Sequence, residues 1–134
     1  MSSLKELKLT QKALEQQKQL VLELEALVKD IDRCEKMIND LHGELALANA
    51  TYPIPRTTRQ DIDYLTALLK CANKKLVWEK HIASLQKRAP VLLDEMSRVM
   101  DDPKNPPAEE VRAQIVRVLQ GVQAAMERLQ QAKG

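Results

Sequence analysis

From Leu20 to Leu45 the chain sets an apolar residue alternately four and three positions apart: Leu20, Leu24, Leu27, Ile31, Cys34, Ile38, Leu41, Leu45. That spacing follows one face of a helix and is the seam of a coiled coil. It predicts a helix over residues 4–49 that must bury this stripe against another helix. A second stripe, Leu7, Leu14, Val21 and Val28, repeats every seven residues and then stops. The first half of the helix therefore needs a second neighbour, and the later half does not. Gly43 lies inside the pattern and weakens the last turns by about 1 kcal/mol relative to Ala.

Prolines end this helix and set the next two. Pro53 and Pro55 cannot continue a helix and hold a short extended link. Thr57 or Thr58 then caps a second helix over 59–100, with Asp61 and Asp63 at its positive end. Its apolar positions form two runs, Ile62-Leu65-Leu69-Ala72-Leu76 and Ile82-Leu85-Ala89-Leu92-Met96-Val99. The step between them is six residues where seven is expected, so the stripe slips near Trp78, which reads as a core plug at the stagger. Pro90 removes one hydrogen bond and kinks the helix. Pro103, Pro106 and Pro107 make the second turn, with Asn105 or Pro106 as the cap of a third helix over 106–132. That helix carries Val111, Ile115, Val118, Val122, Ala125 and Leu129.

Short connections make neighbouring helices antiparallel. The fold class is all-α: an antiparallel three-helix, coiled-coil-like bundle in one domain over 1–134. Two long helices of roughly 60 Å form a hairpin, and a third of roughly 40 Å packs on one half. A symmetric turn pairs residues whose numbers add to about 110. Asn49 then faces Asp61, Thr10 faces Met100, and the third helix runs back beside the second to the level of Lys75 and Glu35. The other half holds only two helices, yet Tyr64, Leu68 and Cys71 form a further stripe there. With Met37, Leu41, Leu45 and Leu47 they compose a hairpin tip, residues 35–75, whose apolar surface exceeds what one seam hides. An exposed apolar strip marks a partner surface. The expected partner is another helical chain or a second copy of this one.

The chemistry of catalysis is missing from the pattern. Only three Gly residues are present, with no Gly-rich phosphate loop, no nucleophile elbow and no HExxH. Adjacent acid pairs such as Asp94/Glu95 point about 100° apart on a helix and share no site. Cys34, Cys71, His42 and His81 have no zinc spacing. Hairpin register sets Cys34 beside Leu76 and Cys71 beside Asn39, about 7.5 Å out of step, too far for an easy disulfide. The expectation is a protein that is not an enzyme and uses no metal, cofactor or small-molecule substrate. The N-terminus has no apolar signal region, no span is long enough for a membrane, and two cysteines suit reduced thiols, so cytoplasm or nucleus is expected.

Net charge is +2, which argues against nucleic acid. The distribution is uneven: residues 51–88 hold 8 basic and 3 acidic side chains. Lys70, Lys74, Lys75 and Lys80 form a candidate basic patch for an acidic partner, a microtubule or a nucleic-acid backbone. The bland alternative is a solvated face.

In the third helix, Arg112, Val116, Arg117, Leu119 and Gln120 stand in an arrangement that resembles the last helix of BAG domains, three-helix modules that bind the Hsp70 ATPase domain. The proline-bearing turn and long first helix are similar too. The resemblance implies that Arg112, Arg117 and Gln120 contact the chaperone. The chain departs from that family at Ala113, where a second basic residue is frequent, and in its longer second helix, which lacks a paired-Glu motif. The leading expectation is a different one. The chain reads as a small non-catalytic scaffold subunit of a coiled-coil assembly of cytoskeletal, kinetochore-like or tethering type, docking partner helices through the hairpin tip.

Overall fold

Three helices make the fold: α1 (Ser2–Thr51), α2 (Thr58–Met100) and α3 (Glu109–Lys133). The computed structural model describes the backbone from Ser2 to Gly134 and the side chains from Thr10 onward. Leu7, the first member of the second stripe, lies outside the described side chains. The chain is an all-α three-helix bundle in which α1 packs against both other helices.

Local chemistry accounts for the helix ends. Thr57 Oγ1 accepts the Gln60 amide at 3.2 Å while Gln60 Oε1 accepts the Thr57 amide at 2.9 Å, a reciprocal capping box. α2 then runs without interruption to Met100. Pro90 is on its exposed side, where water can take the carbonyl that the proline leaves without a donor. α3 starts later than expected. Its N-cap is Ala108, with no side-chain cap: Pro106 and Pro107 bias the residues before them away from helical backbone, and Asn105 stays in the turn, its backbone N–H donating to Asp102 Oδ1 at 3.3 Å and its backbone carbonyl accepting from Gln17 Nε2 at 3.2 Å. Glu109 and Glu110 supply negative charge to the first turn instead.

The leading stripe of α1 is the core. Leu20, Leu24, Leu27, Ile31, Cys34, Ile38 and Leu41 are all buried. Ile82, Leu85 and Leu92 meet them from α2, and Ile115, Val122, Ala125 and Leu129 from α3. The second stripe serves α3, as its spacing implies, but only through Val21 and Val28. A methyl group added at Gly121 would lie 3.8 Å from Val28 Cγ2. Leu14 is exposed, because the bundle closes one turn above it, at Gln17.

Two placements differ from the sequence-based expectation. α3 packs on α1 and scarcely touches the α2 backbone. It runs parallel to α1, its far end fixed by Arg128, which donates to Asp32 at 2.9 Å and to Glu35 at 3.4 Å. The hairpin is also staggered. The Glu44–Lys74 and Asp30–Arg88 pairs each have numbers adding to 118, and Asn49–Tyr64 to 113, rather than 110. Side chains lean toward their own helix N-termini, which raises these sums in an antiparallel pair. The rest is displacement by the extended link 52–57, which starts α2 beyond the end of α1.

Candidate functional site

The tip of the hairpin is built around Arg56. Its Nε donates to Asp61 Oδ1 at 2.9 Å and its Nη1 to the Tyr52 carbonyl at 2.9 Å. The guanidinium carbon stands 4.1 Å from the centre of the Tyr64 ring, within cation–π range. Tyr64 meets Tyr52 edge to face at 6.3 Å and donates its hydroxyl proton to Asn49 Oδ1 at 2.6 Å. These contacts clamp the link to both helices and hold the start of α2 straight above α1.

Below the clamp, α2 offers two stripes, and packing chooses between them. The inward one is Tyr64, Leu68, Cys71, then Trp78, Ile82, Leu85, Ala89, Leu92, Met96 and Val99. Cys71 is buried, Tyr64 and Leu68 are half-buried, and Trp78 packs on the core. With Lys75 at the one polar position, the spacing is four and three throughout. The slip expected near Trp78 therefore does not exist. It arose from joining Leu76, which belongs to the outer stripe, to Ile82, which belongs to the inner one.

The outer stripe is the candidate site. Ile62, Leu65, Leu69 and Leu76 are 53%, 62%, 62% and 57% exposed, and Ala72 between them is exposed as well. Five positions at 3-4-3-4 spacing face water over about 21 Å of helix. An aliphatic stripe of this regularity on a folded, capped helix is a ready-made half of a helix–helix contact.

This changes the set of residues available to a partner. Leu41 and Cys71 are buried within the hairpin, and Met37, Leu45, Tyr64 and Leu68 are half-buried there. Leu47 alone of that predicted group is well exposed, at 67%. The spacing alone shows Ile62, Leu65, Leu69, Ala72 and Leu76 as a stripe but does not show that it lies outside the hairpin seam. The signal that separates the two is continuity: only the stripe through Tyr64, Leu68 and Cys71 runs on into Ile82 without a missed step.

The lysines do not gather into one patch. Lys70 and Lys74 share a side of α2, but Lys74 donates to Glu44. That bond raises the Lys74 pKa above the ordinary lysine value. Lys75 and Lys80 are one and six residues further on from Lys74, about 100° and 120° away in opposite senses around the helix. On α3, Arg117 and Gln120 are exposed, and Arg112, also exposed, donates to the Met100 carbonyl at 3.2 Å.

Cys34 and Cys71 are free and buried. The observed register sets Cys34 beside Ser84 and Leu85, not Leu76, and puts His81 with Met37. Burial pushes the Cys34 thiol pKa up, and nearby Asp30 adds to the effect. Among the described residues, no group of three His, Cys, Asp or Glu side chains is placed to hold a metal ion, and no helix is long and apolar enough to cross a membrane. No protein-family model matches the chain, and neither curated proteins nor solved structures give a match.

Proposed function

We propose that this chain is a non-catalytic protein–protein interaction module, a small coiled-coil subunit that joins a larger helical assembly in the cytoplasm or nucleus. The observation that carries the reading is the outer stripe of α2: four large aliphatic side chains, each more than half exposed, at the spacing of a helix seam. A partner helix laid along it completes the two-helix half of the hairpin as α3 completes the other half. Binding orders little of this chain, because α2 is already held by its cap and by the Arg56 clamp, so the ordering part of the cost of association is small. The docking mode is helix-in-groove.

Leu65→Asp and Leu69→Asp test the reading, since both side chains are exposed and their loss leaves the bundle intact. Each should abolish salt-resistant complexes isolated with the wild-type chain. Leu93→Asp, on the lower half of α2, should leave them unchanged. Retention of every complex by Leu69→Asp would remove the outer stripe from consideration.

A second reading has one specific observation behind it: Arg117, Gln120 and Val116 all lie on the exposed side of α3. If α3 binds the Hsp70 ATPase domain as BAG domains do, Arg112→Ala with Gln120→Ala should eliminate Hsp70 capture while Leu69→Asp has no effect on it.

A further inference from the structure

We infer that the occupant of the outer stripe is the same stripe of a second copy, running antiparallel, so that two molecules join tip to tip. The inference rests on the reading of that stripe as a docking face and names its partner. The argument is one of register and charge. Taking Ile62, Leu69 and Leu76 as the first seam position of successive heptads, Leu65 and Ala72 fall at the second. Asp61, Leu68 and Lys75 then flank the seam on one side, and Thr66, Asn73 and Lys80 on the other.

Parallel self-pairing sets each flanking residue against the one five further along on the opposite flank of the partner helix. Lys75 then meets Lys80 twice, a like-charge contact that costs stability. Antiparallel pairing sets like flanks together. Centred near Ala67, it lays Ile62 against Ala72, Leu65 against Leu69, and Asp61 against Lys75, each contact occurring twice by symmetry. Leu68 meets its own copy on one flank and Thr66 meets its own copy on the other. Both charged partners are available. The Asp61 side chain is 54% exposed even while it accepts from Arg56, and Lys75 is exposed. Leu76 covers the first residue, Thr58, of the opposing α2.

The geometry also leaves room. The overlap spans 58–76 of each α2, all within the two-helix half, and α3 sits on α1 at the opposite end. The product is an elongated dimer with a three-helix bundle at each end and a four-helix overlap in the middle.

Light scattering on the full chain during size-exclusion chromatography, over a range of concentrations, decides the matter. The expected result is a concentration-dependent shift from 15.2 kDa to twice that mass, abolished by Leu69→Asp with helical circular dichroism unchanged. Thr66→Cys should form a disulfide-linked dimer under mild oxidation, while the wild-type chain, whose two thiols are buried, should not. A wild-type chain that stays monomeric overturns the inference, and so does a dimer indifferent to Leu69→Asp. A Leu69-dependent dimer in which Thr66→Cys fails to cross-link overturns the antiparallel register. If the monomeric chain still holds a different helical protein in a Leu69-dependent complex, self-pairing falls and the docking face stands. If no Leu69-dependent complex of any kind forms, both fall together.

Discussion

The two halves of the molecule use the same heptad spacing to different ends. From Gln17 to Ile38, α1 is covered on two sides, by α2 and by α3, and the aliphatic side chains of its leading stripe are almost wholly buried. From Leu41 to Thr51 it has α2 alone. There the hairpin relies on one seam, on small residues such as Ala48 and Cys71, and on the polar clamp around Arg56. The aliphatic stripe of α2 that has no place in that seam stays in water. Where a third helix is present, regular apolar spacing becomes core. Where it is absent, the same spacing becomes exposed surface.

The sharpest way to break this comparison is to truncate one leucine in each half. Leu24→Ala should cost about 2–5 kcal/mol in urea unfolding, because its side chain is fully buried and leaves a cavity. At dilutions where the chain is monomeric, Leu69→Ala should stay within about 0.5 kcal/mol of wild type. Equal costs would mean that the outer stripe is covered within the monomer.

Next in size is the clamp. Tyr64→Phe deletes the 2.6 Å bond to Asn49 and should cost about 1 kcal/mol. Hydrogen exchange should show the loss as faster exchange in residues 41–70, with the three-helix half unchanged. Faster exchange throughout would show that the halves unfold as one unit.

Glycine substitution sharpens the contrast from the other direction. Gly43 and Gly121 are both helical, one in each half. A methyl group meets nothing within 4 Å at Gly43 and only Val28, at 3.8 Å, at Gly121. Both Gly→Ala changes should stabilise the chain, by about 0.5–1 kcal/mol each, through helix propensity. A loss at Gly121 would show that α3 lies closer to α1 than the helix register indicates.

The smallest effect concerns the Glu44–Lys74 pair of the two-helix half. Its lysine pKa is raised on folding, so its contribution is complete below the ordinary lysine range and is lost as pH rises through the raised value. The small deficit in melting temperature of Glu44→Gln should be constant from neutral pH to about pH 9 and shrink above about pH 10.5. A deficit that persists at higher pH would assign the effect to packing rather than charge.

Much of this architecture is legible without coordinates. The seams of α1 and α3, the proline-marked turns, a threonine cap at 57 or 58 and the third helix on one half all follow from spacing and turn chemistry, which act within a few residues. α3 starts at Glu109 rather than at 106 because Asn105, a good cap by type, is followed by two prolines that bias it and Pro106 away from helical backbone. The candidate site was legible as a set of residues but not as a surface.

What the sequence determined alone is that three helices form, where they end, and that the two-helix half of the hairpin must leave a stripe of α2 uncovered. Which stripe faces water, how far the hairpin is staggered, and how little the α3 backbone approaches α2 were decided only in the tertiary structure. The reason is that Ile62-Leu65-Leu69-Ala72-Leu76 and Tyr64-Leu68-Cys71 are both regular enough to serve as a seam. Within residues 62–76 alone, helix propensity and periodicity hardly distinguish them; the continuation into Ile82 does. Only simultaneous packing of the whole of α2 against α1, with Ile82, Leu85 and Leu92 already committed to the core, selects the stripe in phase with them and turns the other outward.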